Sequence, residues 1–198
     1  IAEIKPHQVE APHGASRTDN YYWLNDRVNP EVIDYLQKEN DYLNTQLAHT
    51  DDFQSQLFEE MKGRIKEDDA SVPYFKKGYY YYTRYEEGGQ YAIYCRRKGS
   101  MEAPEEIIVD GNQLGEGQSF LNFYISVSPN QNLVAIVKDT VGRNFYTISV
   151  KDMTTGELLP DEIKDTRGGL AWMNDNQSFY YVIPDKKTLR EYQVYHHV

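Results

Sequence analysis

The chain is poor in several things at once, and each shortage excludes a class. It has one cysteine, Cys95, so no internal disulfide can form. It has no run of 18 apolar residues, so the sequence holds no transmembrane helix, and no signal-peptide pattern is visible. Basic residues are outnumbered, 21 against 31 acidic, for a net charge of -10. A nucleic-acid binder would show a basic stripe, and an anionic membrane surface is equally unsupported as a partner. The balance is compatible with a cationic ligand, whose on-rate an acidic cleft raises by about 10 to 10³. With a single Cys and five scattered His there is no zinc-ligand spacing. Gly115-Glu116-Gly117 is not followed by the Lys-Ser or Lys-Thr of a phosphate-binding loop. The nearest approach to a G-x-S-x-G nucleophile elbow is Gly117-Gln118-Ser119-Phe120-Leu121, which lacks the second Gly and precedes a strand.

What is abundant is tyrosine, with 18 residues against 7 Phe and 2 Trp. Tyr buries its ring while keeping a polar tip, which suits sheets with one solvated face. The hydrophobic fraction of 39% allows a packed core, although the mean hydropathy is -0.76. The first 29 residues read as an irregular arm broken by Pro6, Pro12 and Gly14, carrying the aromatic cluster Asp19-Asn20-Tyr21-Tyr22-Trp23-Leu24-Asn25-Asp26. That cluster is expected to pack back on its own domain or on a neighbouring one. Asn29 and Pro30 are a cap and a first helical residue, opening a helix over 30–49 with Ile33, Leu36, Leu43 and Leu47 on one stripe. A second helix is expected over 51–66, capped by Thr50, with Phe53, Leu57, Met61 and Ile65 on its apolar face. The two are expected to pair antiparallel about His49-Thr50, with both stripes in the core.

Near residues 67–72 the period changes from 3.6 to 2, and from there the chain repeats. The first unit predicts strands over 72–75, 79–85, 90–97 and 106–110; the second over 123–127, 133–139, 144–152 and 158–163; the third over 170–173, 178–183 and 191–198. Gly88-Gly89 predicts a two-residue hairpin turn between the second and third strands of the first unit. Val141-Gly142-Arg143 and Lys187-Thr188 hold the equivalent position, Thr155-Gly156 turns between the third and fourth strands, and Pro129-Asn130-Gln131-Asn132 and Asn174-Asp175-Asn176-Gln177 turn between the first and second. Four-stranded meanders at this period are propeller blades. The expected fold is mainly β, with an N-terminal helical arm of two α-helices over 1–71 and a partial β-propeller of about two and a half four-stranded antiparallel blades over 72–198. Such a set does not close a ring, so the chain is expected to be a piece of a longer protein, with open edges inviting strand-to-strand association of the fragment.

The candidate chemistry is sparse. His196-His197 are adjacent on a strand, so their rings point to opposite faces and cannot share a metal. Cys95 is followed by Arg96 and Arg97, which could lower a thiol pKa, but alternation turns its immediate neighbours to the other face. Glu86-Glu87 and Glu59-Glu60 are paired in sequence, on a turn and a helix surface, without the convergence that acid–base chemistry requires. Asn176-Gln177-Ser178 matches a glycosylation sequon and is also a blade turn. No catalytic, cofactor-binding or metal-binding residue is assigned on these grounds.

The wording of the first unit is more informative than its chemistry. Tyr80-Tyr81-Tyr82-Thr83-Arg84, Gly89-Gln90-Tyr91, Tyr94-Cys95-Arg96-Arg97-Lys98, the D-x-Y-x-W-L-x-D element from Asp19 to Asp26, Asp110-Gly111-Asn112-Gln113-Leu114, Val127-Ser128-Pro129 and Gly168-Gly169-Leu170-Ala171-Trp172 together resemble the N-terminal part of the prolyl oligopeptidase family of serine peptidases, and within it the oligopeptidase B (protease II) branch. The resemblance implies a seven-bladed propeller capping an α/β-hydrolase domain with a Ser-Asp-His triad. It implies oligopeptide substrates, cleavage after Arg or Lys, gating by the propeller, and an N-terminal arm and helices that tie the hydrolase domain to it. The triad would lie beyond Val198, so no catalytic residue is carried over and the fragment alone is expected to be inactive. No cofactor is implied, and the expected compartment is the cytoplasm, with a periplasmic one left open by an N-terminus that starts at Ile1. The alternative is a stand-alone propeller used as an interaction module.

Overall fold

The computed structural model describes residues 1–198, which divide into two compact units, Ile1–Ile65 and Lys66–Val198. The first unit opens with a hairpin that the sequence reading takes for an irregular arm. Strands β1 (His7–Glu10) and β2 (Ser16–Asp19) pair antiparallel from His7↔Asp19 to Glu10↔Ser16. Val9 is the only apolar residue in either strand, so no alternation could reveal them. The aromatic cluster is used locally. Trp23, in a 3₁₀ turn over Tyr22–Asn25, donates its Nε1–H to the Glu3 carbonyl at 3.0 Å and carries the Lys5 ammonium over its ring at 4.5 Å. His7 stacks on Tyr22 with ring centroids 4.1 Å apart.

Helix α1 (Pro30–Leu47) begins as its sequence dictates, with the Asn29 carboxamide oxygen accepting from the Glu31 N–H at 2.9 Å and Pro30 in the first turn. The expected antiparallel pair does not form. Leu47 (φ -96°, ψ -5°), Thr50 (φ -103°, ψ -3°) and Asp51 (φ -57°, ψ -46°) all stay right-handed, so the chain passes through a 3₁₀ turn, Ala48–Thr50, directly into α2 (Asp51–Lys62). Nothing in His49-Thr50 can reverse a chain: there is no Gly, no Pro and no positive φ. Thr50 does not cap α2; its hydroxyl donates back to the Leu47 carbonyl at 2.7 Å. The stripe residues are not core either. Ile33, Leu36, Leu43, Leu47, Phe53, Leu57, Met61 and Ile65 are between 40% and 68% exposed, and Val32 alone is buried on these helices.

The second unit is three stacked antiparallel sheets. The first runs β3 (Tyr74–Lys76), β4 (Tyr79–Arg84), β5 (Ile93–Lys98), β6 (Glu105–Asp110); after the short helix α3 (Gly111–Leu114), the second runs β7 (Asn122–Val127), β8 (Leu133–Asp139), β9 (Tyr146–Asp152), β10 (Leu158–Thr166). The third runs β11 (Leu170–Trp172), β12 (Phe179–Pro184), β13 (Glu191–His197). Each strand pairs with its sequence neighbours, as a meander requires. Two cores lie between the sheets. Tyr81, Ile108 and Val109 of the first sheet meet Val134 and Ile136 of the second. Ala135, Val137, Ile148 and Val150 of the second meet Phe179 of the third, which is fully buried against Trp172. Successive residues of β8 point to opposite faces, so Val134 and Ile136 serve one core while Ala135 and Val137 serve the other.

The turns divide into two kinds. Between β4 and β5 the register closes at Arg84↔Ile93, leaving an eight-residue connection instead of the two-residue turn that Gly88-Gly89 suggests. The reason lies outside the hairpin. The Asn112 side chain accepts from the Gln90 and Tyr91 N–H groups at 2.9 and 3.0 Å and donates to the Tyr91 carbonyl, holding the loop open against α3. Three other turns are built on carboxylates. Asp139 is buried and accepts from the N–H groups of Val141, Gly142 and Asn144 at 2.7–2.9 Å. Asp175 and Asp185 repeat the device at the turns after β11 and β12.

Two outcomes follow for stability. Gly168 lies at φ +97°, and a Cβ there would stand 2.4 Å from the Tyr124 hydroxyl and 3.0 Å from the Tyr146 ring, whereas one on Gly169 would meet nothing. Gly168→Ala is expected to destabilise by about 3 kcal/mol and Gly169→Ala by less than about 0.5 kcal/mol in urea unfolding. The second outcome concerns acid. Burial works against the charged form of Asp139, but the backbone N–H groups of Val141, Asn144, Gly142 and Arg143 outweigh it and hold its pKa below the usual range; the Ser178 hydroxyl and N–H hold Asp175 down to about 2. Groups depressed in the folded state stabilise above their unfolded pKa of about 3.9 and lose that contribution as pH falls through the folded value. The melting temperature should therefore drop between about pH 4 and pH 2. Asp139→Asn should cost about 2 kcal/mol at pH 7 and flatten that acid slope; an unchanged slope would refute the assignment.

Candidate functional site

The first sheet concentrates the polar chemistry of the second unit, and cross-strand register explains how. The pairs Tyr82↔Cys95 and Arg97↔Glu105 place Tyr82, Arg84, Cys95, Arg97 and Glu105 on one face. There the Glu105 carboxylate accepts from the Tyr82 hydroxyl at 2.5 Å and from Arg84 Nε at 3.1 Å. Arg97 donates to the Tyr82 oxygen at 2.9 Å and to the Ala103 carbonyl. Arg84 also reaches Glu86 at 2.6 Å. Glu105 is held below the usual carboxylate range: partial burial opposes this, but Tyr82 and Arg84 prevail. Burial and the same carboxylate push the Tyr82 phenol up. Cys95 is 1% exposed, and burial, reinforced by Glu105 and only partly offset by Arg84, pushes its thiol up to about 11.

The opposite face joins the first sheet to the second. Arg96 is 3% exposed, with Nε on Glu106 at 2.7 Å, Nη1 donating to the Gln131 carbonyl at 2.6 Å, and its guanidinium 4.2 Å from the Tyr79 ring centroid. Tyr81 donates to the Gln131 side-chain oxygen at 2.6 Å, and burial raises that phenol. Gln131 takes φ +69° in the turn between β7 and β8, which aims it at the first sheet. Lys151 crosses the other way, donating to the Ile108 carbonyl at 2.9 Å. Beside these struts lies a cavity of about 290 Å³, walled by Tyr74, Tyr81, Tyr94, Ile125, Val127 and Gln131 among others.

The residues singled out from sequence do not converge. Ser119 is exposed on the loop after α3. His196 stacks on Tyr180, while His197 packs on Phe179 and lies 3.4 Å from Asp161. Glu86 answers Arg84, Glu60 pairs with Arg64, and Asn176 sits at φ +64° in its turn. Cys95 has Arg84 and Glu105 about it and no histidine as a base, and no group of three or more His, Cys, Asp and Glu side chains comes together as a metal site would. The arrangement is therefore one of struts and a walled cavity, without a nucleophile–base pair. Sequence reasoning missed Arg84, Arg96, Glu105 and Asn112. Arg96 and Glu105 were accessible from register, since opposite charges directly across paired strands interact; Arg84, which faces Ile93 across its strand pair, and Asn112 carried no such local signal.

Stacked four-stranded meanders tied by such struts are propeller blades, and the chain belongs to the family described as prolyl oligopeptidase, N-terminal beta-propeller domain, whose model matches residues 2–198. Among curated relatives, it is 40% identical to dipeptidyl aminopeptidase BI of Pseudoxanthomonas mexicana, over 98% of this chain and 29% of that protein, and 32% identical to Protease 2 of Moraxella lacunata, over 94% and 28%. Among solved structures, oligopeptidase B from Leishmania major superimposes with a TM-score of 0.92 at 34% identity, over 100% of this chain and 30% of that one. Oligopeptidase B from Trypanosoma brucei, with covalently bound antipain, gives 0.88 at 27%, over 100% and 30%. The chain thus spans under a third of the length of these relatives.

The Cys95 environment yields a direct test. A thiol with a pKa near 11, sealed in a sheet, holds about a hundredfold less thiolate at pH 8 than a free one. Alkylation by iodoacetamide should therefore be at least about a hundredfold slower in the folded chain than in denaturant. Comparable rates in the two states would show that Arg84 and Arg97, not burial, govern the thiol.

Proposed function

We propose that residues 1–198 supply the N-terminal segment and first propeller blades of a serine oligopeptidase that hydrolyses short peptides after Arg or Lys. In this reading residues 1–71 tie a C-terminal α/β-hydrolase domain to the propeller, and residues 72–198 begin a seven-bladed ring that admits short chains and turns folded proteins away. The catalytic Ser, Asp and His belong to the hydrolase domain: Ser as nucleophile, His as general base and then acid, an oxyanion hole for the tetrahedral intermediate. This chain contributes walls and docking surface. The observation that supports the reading most is that the whole of this chain superimposes on 30% of oligopeptidase B at a TM-score of 0.92, joined to a chain whose own polar groups are spent on struts. The acidic balance of -10 adds support, since it would draw basic peptides toward the ring.

A second reading has its own observation. The 40% identity to a protein named dipeptidyl aminopeptidase BI, against 32% to Protease 2, favours release of dipeptides from free N-termini. Specificity assays on the full-length parent polypeptide separate the two. With N-terminally blocked peptides, cleavage after Arg or Lys at a kcat/KM at least about a hundredfold above other residues is the expected result. Turnover confined to peptides with a free N-terminus, two residues at a time, would favour the second reading. Residues 1–198 alone are expected to hydrolyse neither set; turnover by the purified chain would overturn the division of labour.

A further inference from the structure

The continuous helical stretch from Pro30 through Lys62 carries a repeat for which the fold of this chain supplies no partner. Ile33, Leu36, Asn40, Leu43, Leu47, Thr50, Gln54, Leu57 and Met61 alternate at spacings of three and four. This is the 3.5-residue period of a helix-packing seam. On an ordinary α-helix such a seam drifts by about 20° per heptad, or about 80° over its length. The 3₁₀ turn Ala48–Thr50 sits near its middle. At 3.0 residues per turn each 3₁₀ residue advances about 20° further than an α-helical one, so three of them restore about 60°. The turn that replaced the expected reversal therefore keeps the apolar residues in line. All six apolar members are 40–53% exposed.

The positions flanking this seam carry charge of one sign. They include Glu39, Asp51 and Glu60, with Gln37, Asn44, Gln46, Phe53 and Phe58, and no Lys or Arg. The amino terminus approaches Glu39 at 3.9 Å and Arg64 reaches Glu60, neither from a flanking position of the helix. The whole stretch holds eight carboxylates and two lysines. A second copy would lay two such helices side by side, like charge against like, which opposes pairing.

We infer that the seam takes one straight amphipathic helix with Lys and Arg on its flanks, from the C-terminal portion of the parent polypeptide. This rests on the docking role proposed for residues 1–71 and adds its geometry and charge. The relatives matched here extend to more than three times the length this chain covers, so they have polypeptide enough to supply that helix. Leucine-sized knobs at three- and four-residue spacing would enter the gaps between Leu36, Leu43, Leu47 and Leu57, and the basic flanks would meet Glu39 and Asp51.

The test uses the full-length parent polypeptide, with p-benzoylphenylalanine placed at Leu36, Leu43 or Leu57, irradiation, and mapping of the adducts by mass spectrometry. Adducts are expected on one C-terminal segment, at helical spacing, bearing Lys or Arg beside the captured residues. Amides of residues 30–62 should exchange at least about tenfold more slowly in the parent than in residues 1–198. Glu39→Lys with Asp51→Lys should erode that protection at about 50 mM salt and much less at about 500 mM. Adducts on a C-terminal strand, loop or acid-flanked helix would overturn the seam while leaving docking in place. Adducts confined to a second copy of residues 1–198 would overturn it in favour of self-association. No adducts, with equal exchange in parent and fragment, would remove the docking role itself and the seam with it.

Discussion

Each sheet of the second unit can bury a face only by lending it to the next sheet. That constraint organises the rest. A four-stranded meander satisfies its interior backbone hydrogen bonds by itself, but it leaves two faces and two edges to be dealt with. Here the middle sheet meets the demand on both faces: β8 sends Val134 and Ile136 to one core and Ala135 and Val137 to the other. Apolar area is non-directional, so stacking alone would not fix the rotation of one sheet on another. The polar struts do. Arg96 onto the Gln131 carbonyl, Tyr81 onto the Gln131 side chain, Lys151 onto the Ile108 carbonyl and Trp172 onto the Ser126 carbonyl each join a point on one sheet to a point on the next. Every one is buried or partly so, where a lost partner costs more than the bond contributes.

The same logic explains the dense charge of the first sheet. Arg84, Arg96, Arg97, Glu105 and Glu106 make a dense charged hairpin, and dense charge in a structured segment suggests chemistry. Alternation splits it into two sets. Arg96 and Glu106 take the buried face and serve the strut; Arg84, Arg97 and Glu105 take the other with Tyr82 and Cys95. On neither face does a nucleophile meet a base. Cys95 is the nearest thing to one, and its surroundings push its thiol away from reactivity.

What was legible in the sequence was whatever local physics decides. The strand sequence and the meander order followed from alternation, and Pro129-Asn130-Gln131-Asn132 and Asn174-Asp175-Asn176-Gln177 announced turns that the structure builds with positive φ at Gln131 and Asn176. The helix start at Asn29 and Pro30 followed from capping chemistry. What was not legible depended on distant partners or on signals too weak to register. The β1–β2 hairpin is polar on both faces, so the period that reveals strands was absent. The connection between β4 and β5 is set by Asn112, some twenty residues downstream, against a Gly-Gly pair that locally favours a tighter turn. The cross-sheet pairing of Tyr81 with Gln131 is likewise a tertiary fact.

The long helix is the most instructive disagreement, because its helical stretches and apolar stripes are legible locally while the Thr50 cap and the pairing of the two stretches are not. Two apolar stripes separated by His49-Thr50 suggest two helices, and two amphipathic helices in a small unit suggest that they cover each other. That inference assumes each apolar face is covered within the chain at hand. The backbone decides otherwise: right-handed angles at Leu47, Thr50 and Asp51 carry the helix onward, so the stripes add end to end instead of face to face. End-to-end stripes cannot satisfy one another however long they are. An exposed line of Leu, Ile and Met on a capped, continuous helix is a demand for external cover. Its 3.5-residue spacing and one-signed flanks limit what can meet that demand far more than its hydrophobicity does.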